Sequence, residues 1–216
     1  MKFKPSLFWL CLGLGAASAL PGPAQTPPAA APAKSEADVA YDAVWAIYNE
    51  KPANPNLAKE HPQEYFQWMG EQFQRFAAAA QAYAEKYPQD PRRWEGIVQS
   101  SFTRPLYITG FKDGFDARPS WGGLIEDEAK VAEFKAAQAK RLEAVIASTD
   151  ANERQRGGAY FALMTEAMSA LSRNRTPENK AAYLAIVDRM TTQMPNAAAK
   201  IARQHLAVLK DVGTPE

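Results

Sequence analysis

Two histidines, His61 and His205, are the only imidazoles in the 216-residue chain. A catalytic or zinc-binding pair needs two side chains on one helical face, as in His-x-x-x-His or Glu-x-x-His, and neither spacing occurs. His61 precedes Pro62 and reads as a helix-start residue. A Gly-x-Ser-x-Gly elbow is also absent, so no serine nucleophile is marked. Asp113 and Asp116 in "FKDGFD" have the outline of a calcium loop, without its alternating oxygen ligands or its closing glutamate. Glu126-Asp127-Glu128 is the densest carboxylate run. It reads as the first turn of a helix, where negative charge meets the positive end of the dipole, rather than as an acid–base pair. These residues predict no catalytic group, no metal and no cofactor.

Two groups retain the chemistry of recognition. Arg92 and Arg93 fall early in a helix, where the dipole does not favour them. They are expected either to pair with acidic neighbours across a hairpin or to offer planar donors to a partner. Phe102, Tyr107, Phe111, Phe115 and Trp121 are spread through "SFTRPLYITGFKDGFDARPSWGG", residues 101–123, which lacks a 3.6-residue period. Aromatic side chains with polar tips are enriched where proteins meet partners. The alternative is that they anchor an irregular connection between two helical hairpins.

The elements that position these residues are helical. Lys2 and Lys4 precede an apolar stretch from Leu7 to Leu20, with small residues at Ala17-Ser18-Ala19, so residues 1–19 read as a signal peptide, with cleavage after Ala24, where Gly22 and Ala24 are also small, as the alternative. Cys11, the only cysteine, lies inside it, and a matured chain would hold no disulfide and no thiolate. Leu10 before Cys11 argues against a lipid anchor. Taking Lys2 and Lys4 from 25 basic residues against 24 acidic ones leaves a net charge of about −1, with no footprint for nucleic acid or anionic lipid. Residues 20–34 are rich in Pro and Ala and read as a semi-extended tether.

From Ser35 onward the pattern predicts an all-α domain, 35–216, of about seven helices in antiparallel hairpins, with one irregular loop at 102–123 and no strand. "SEAD" forms a capping box that opens the first helix. Pro62 opens a long second helix with an apolar stripe from Phe66 to Tyr83, ending at Lys86. Pro88 stops it, Asp90 is placed to cap and Pro91 to start the third. A helix resumes with "LIEDEAK", another opens with Asp150 and Glu153 as its capping pair, a third follows Thr176-Pro177, and a last one carries Ile201, Leu206 and Leu209.

"AAAAQAYAEKYPQDPRRW" and "AAYLAIVDRMTTQMPNAAAK" resemble the helix-turn-helix unit of tetratricopeptide-type repeats, without a regular period between them. "AYAEKYPQDPRRWEG", "ERQRGGAYFAL" and "LAVLKDVGTPE" together look like the helical segment that precedes a thioredoxin-like domain in certain exported bacterial proteins. That resemblance implies a helical fold and an exported, periplasmic or extracellular location. It implies no catalytic residue, because the family's Cys-x-x-Cys is not in this sequence.

The reading that follows is an exported, non-enzymatic helical module that binds a protein or peptide, with Tyr107, Phe111, Phe115, Trp121, Arg92 and Arg93 as candidate contacts. An accessory domain of a thioredoxin-like redox system is the alternative, and a carboxylate-based enzyme the third. No nucleic-acid partner and no stable membrane anchor after cleavage are expected.

Overall fold

The computed structural model describes residues 33–115 and 123–195. The signal peptide with Cys11, residues 20–32 of the tether, Asp116, Trp121, His205 and the last predicted helix lie outside the described residues. Among those described, the order is α1 (Glu36–Tyr48), α2 (Leu57–Glu60), α3 (Pro62–Lys86), α4 (Arg93–Phe102), β1 (Ile108–Phe111), β2 (Leu124–Glu126), α5 (Glu128–Ala147), α6 (Glu153–Arg173) and α7 (Pro177–Gln193). The fold is all-α, with one two-stranded antiparallel hairpin.

Local signals set most boundaries. Ser35 accepts from the Asp38 N–H and Asp38 reaches back to the Ser35 N–H, so the expected capping box opens α1. Pro62 and Pro177 both sit at the first helical position, and Thr176 caps α7 through the Asn179 N–H. In α3 the stripe turns Phe66, Phe76, Ala80 and Tyr83 inward.

Four expectations need correction. Residues expected to be wholly irregular form β1 and β2, with Ile108 opposite Glu126 and Phe111 opposite Leu124. The strands are short and their partners lie far apart in sequence, so no local period reveals them. The helix expected from Leu124 therefore starts later: Glu126 is in β2, Asp127 caps α5 by accepting from the Ala129 and Lys130 N–H groups, and only Glu128 is in the first turn. Asn152, not Asp150, caps α6, with Gln155 completing the box. α4 starts at Arg93, because Asp90 folds back on the Arg92 N–H in a turn instead of capping a helix at Pro91. The loop before Pro62 also contains the single turn α2.

α3 packs on α1 and α4, and α6 packs on α5 and α7, while α4 also touches α5 and α6. Short connections make the neighbours antiparallel. One apolar cluster, built on Val44, Phe76, Ala80 and Tyr83, joins α1 to α3. A larger one, including Ile97, Val145, Tyr160 and Val187, joins α4 to α7. Three buried glutamines tie elements together where disulfides are lacking. Gln72 donates to the carbonyls of Ile47 (2.8 Å) and Glu50 (2.8 Å), satisfying the C-terminal end of α1. Gln138 on α5 donates to Ile97 O of α4 (2.7 Å), and Gln155 on α6 to Pro91 O (2.9 Å).

Candidate functional site: a groove between α3, β1 and α5

A polar cavity of about 410 Å³ opens between α3 and β1, walled by Gln67, Glu71 and Gln74 on one side and by the chain from Leu106 to Thr109 on the other. Asp127 and Lys130, at the start of α5, close its rim. A second cavity of about 360 Å³ continues between α3 and α5, past Ala77, Ala78 and Gln81 and along Phe134, Ala137 and Arg141. The two share Gln74, Tyr107 and Lys130, so they form one groove with Tyr107 at its middle.

Each wall has a local cause. Gln67, Gln74 and Gln81 are seven residues apart, which repeats one azimuth of α3 every two turns, about 10.5 Å along the axis. This face lies across the helix from the buried Phe76 and Tyr83, about 160–200° around the axis. Gly70 lets β1 approach: a Cβ there would lie 3.1 Å from both Leu106 Cβ and Leu106 O. Gln74 Nε2 donates to Leu106 O, linking the helix to the chain that leads into β1. Arg141 reaches from Gln138 Oε1 (3.3 Å) to Gln81 Oε1 and spans α5 to α3 at the far end.

Tyr107 is half-buried, with its ring 6.5 Å from that of Phe134. Burial raises its hydroxyl pKa above the ordinary tyrosine value; the nearby Glu133 carboxylate adds to this and Arg141 opposes it. Around the ring the groove is charged at both ends. Glu71 and Asp127 stand at the β1 end, Glu133 and Arg141 at the α5 end, and Lys130 lies between them, 3.7 Å from Asp127.

The other expected contacts lie elsewhere. Phe111 and Phe115 pack on each other at 4.9 Å, and Phe115 meets Phe66 of α3 edge-on at 5.6 Å, so this pair fastens the hairpin to the helix. Arg92 bridges Asp90 (2.6 Å) and Asp38 (2.8 Å) and lies 4.7 Å over the Tyr41 ring. Arg93 pairs with Asp150 (2.5 Å) and stacks on Trp94. Both arginines are thus engaged across helix pairs. Phe102 stands with Phe161 of α6 on a separate, exposed face, ring centroids 6.0 Å apart.

Sequence reading missed the groove's polar wall: Gln67, Glu71, Gln74, Gln81, Lys130 and Arg141. The seven-residue spacing of the three glutamines was the available signal. Among the described residues no group of three or more His, Cys, Asp or Glu is placed to hold a metal ion. Among them, too, no helix is long and apolar enough to cross a membrane. Comparison with family models, with curated proteins and with solved structures finds no match to this chain.

Proposed function

We propose that this chain is an exported, non-enzymatic interaction module that holds a protein or peptide partner in the groove centred on Tyr107. The observation that carries the reading is the continuity of the two cavities over Gln74, Tyr107 and Lys130, which makes one open trough. Its walls include Tyr107 and Arg141, residue types that are enriched where proteins meet partners, set among amides and charges of both signs. Export is supported by the basic, apolar and small-residue order of residues 1–19.

Site-specific photocrosslinking in the producing cell tests this. A photoreactive side chain at Gln67 or Lys130 is expected to yield one discrete covalent adduct. The same group at Arg173, exposed at the end of α6, is expected to yield none. Adducts equally abundant from both positions, or none from the groove, would refute the assignment.

A further inference from the structure

We infer that a second cavity, between α1, α4 and α6 and separate from the Tyr107 groove, binds a free α-amino acid with an apolar side chain. Its volume is about 310 Å³, at the lower end of the range that small-molecule pockets occupy. The helices that wall it offer different groups. On α4, Glu95, Gln99 and Phe102 follow one another at the spacing that puts them on one face. The Tyr41 hydroxyl of α1 donates to Glu95 Oε2, and Gln99 Nε2 donates to the Tyr48 hydroxyl (3.2 Å), so Glu95 Oε1 and Gln99 Oε1 remain as acceptors. At the start of α6, Asn152 Oδ1 is taken by the Gln155 N–H (2.9 Å), which leaves Nδ2 as a donor, and Arg154 brings its guanidinium.

Glu95 and Arg154 therefore line one cavity with opposite charges, yet neither forms an ion pair with the other or with any other described side chain. The apolar part of the lining comes from the contact of the two helices. Gly158 brings α6 against α4, where a Cβ would lie 2.7 Å from Val98 Cγ1, and both residues line the cavity together with Phe102.

Unpaired charges of opposite sign on two walls match a ligand that carries both. Its ammonium takes the acceptors of Glu95 and Gln99. Its carboxylate takes Asn152 Nδ2 and the planar fork of Arg154, with the positive end of the α6 dipole in support. Val98 and Phe102 receive the apolar side chain. A ligand with one charge leaves one wall unanswered. In a longer peptide the two charges stand at opposite chain ends, which a cavity of this size does not take together.

The test is calorimetric titration of the full chain with L-phenylalanine and L-leucine, and with phenethylamine and 3-phenylpropanoate, each of which keeps one of the two charges. The amino acids are expected to bind, and each analogue to bind on the order of tenfold or more weakly. Glu95→Gln, which still accepts from Tyr41, is expected to weaken phenylalanine and spare 3-phenylpropanoate. Arg154→Gln is expected to weaken phenylalanine and spare phenethylamine. Arg154 is exposed, so its variant keeps the fold and decides the matter alone should Glu95→Gln unfold. No binding of either amino acid at millimolar concentration, an analogue that binds as tightly as phenylalanine, or phenylalanine binding that survives Arg154→Gln overturns the inference. Binding lost in Tyr107→Ala but kept in Arg154→Gln would move the ligand to the groove and likewise overturn it.

Discussion

Gly96 gives the sharpest test of how closely α3 and α4 approach. A Cβ at Gly96 would fall 2.8 Å from Ala80 Cβ, 3.5 Å from Ala80 Cα and 3.7 Å from Val44 Cγ1. Carbon atoms rest at about 3.5–4.0 Å, so the first contact must open by roughly 1 Å. Ala80 is rooted in the backbone of α3 and has no rotamer to yield, so the helices themselves must separate. Overpacking costs about 1–3 kcal/mol, and a clash between two atoms that have no rotamer to yield falls at about 2–3. Replacing a mid-helix glycine by alanine returns about 0.8–1 kcal/mol, and the net expectation for Gly96→Ala is a loss of about 1–2 kcal/mol. In a domain of this size that lowers Tm by roughly 2–8 °C. Gly157→Ala is the internal control, because there the new methyl meets only Met194 Cε at 3.4 Å, the mobile end of a long side chain. It is expected to be neutral or up to about 1 kcal/mol more stable. Urea denaturation of both variants, with m-values unchanged, decides the matter. A Gly96→Ala protein as stable as the parent, or equal losses in the two variants, would refute the packing argument.

Gln138→Ala removes donors to Ile97 O, Ser100 Oγ and Ser101 Oγ at a buried α4–α5 contact and is expected to cost about 2 kcal/mol in chemical denaturation. The Arg92 guanidinium holds the Asp90 carboxyl well below its ordinary range, with the Tyr83 hydroxyl assisting. Its contribution is therefore complete above about pH 4 and lost as pH falls below that; Asp90→Asn is expected to flatten the acid limb of a stability–pH profile. Burial, reinforced by Glu95 at Tyr41 and by Asp90 at Tyr83, pushes both phenols up to about 12. Stability tied to these protonated phenols is full below about pH 10 and lost towards 12, and an ultraviolet titration should lose its latest-ionising step in the Tyr41→Phe, Tyr83→Phe double variant.

The helices were legible because their causes are local. Ser35 with Asp38, Pro62, and Thr176 with Pro177 each act within four residues, and the stripe from Phe66 to Tyr83 repeats at the helical period. Where two local signals competed, the three-dimensional setting chose. Asp150 was drawn off to Arg93, leaving the α6 cap to Asn152, and Asp90 was held by Arg92 and Tyr83.

The groove belongs to the tertiary structure. Tyr107 was singled out by its residue type, but its neighbours Gln74 and Lys130 come from elements far from it in sequence, and no spacing rule joins them. The hairpin has the same cause: Ile108 finds Glu126 only after the chain between them has closed, and the chain at Leu106 and Ile108 lies against α3 only because Gly70 carries no side chain. Sequence by itself determined where α1, α3 and α7 begin, which face of α3 turns inward, and that the chain carries no cysteine after Cys11. Tertiary packing alone decided which polar side chains were left to line a trough, because that depends on which helix faces are already covered.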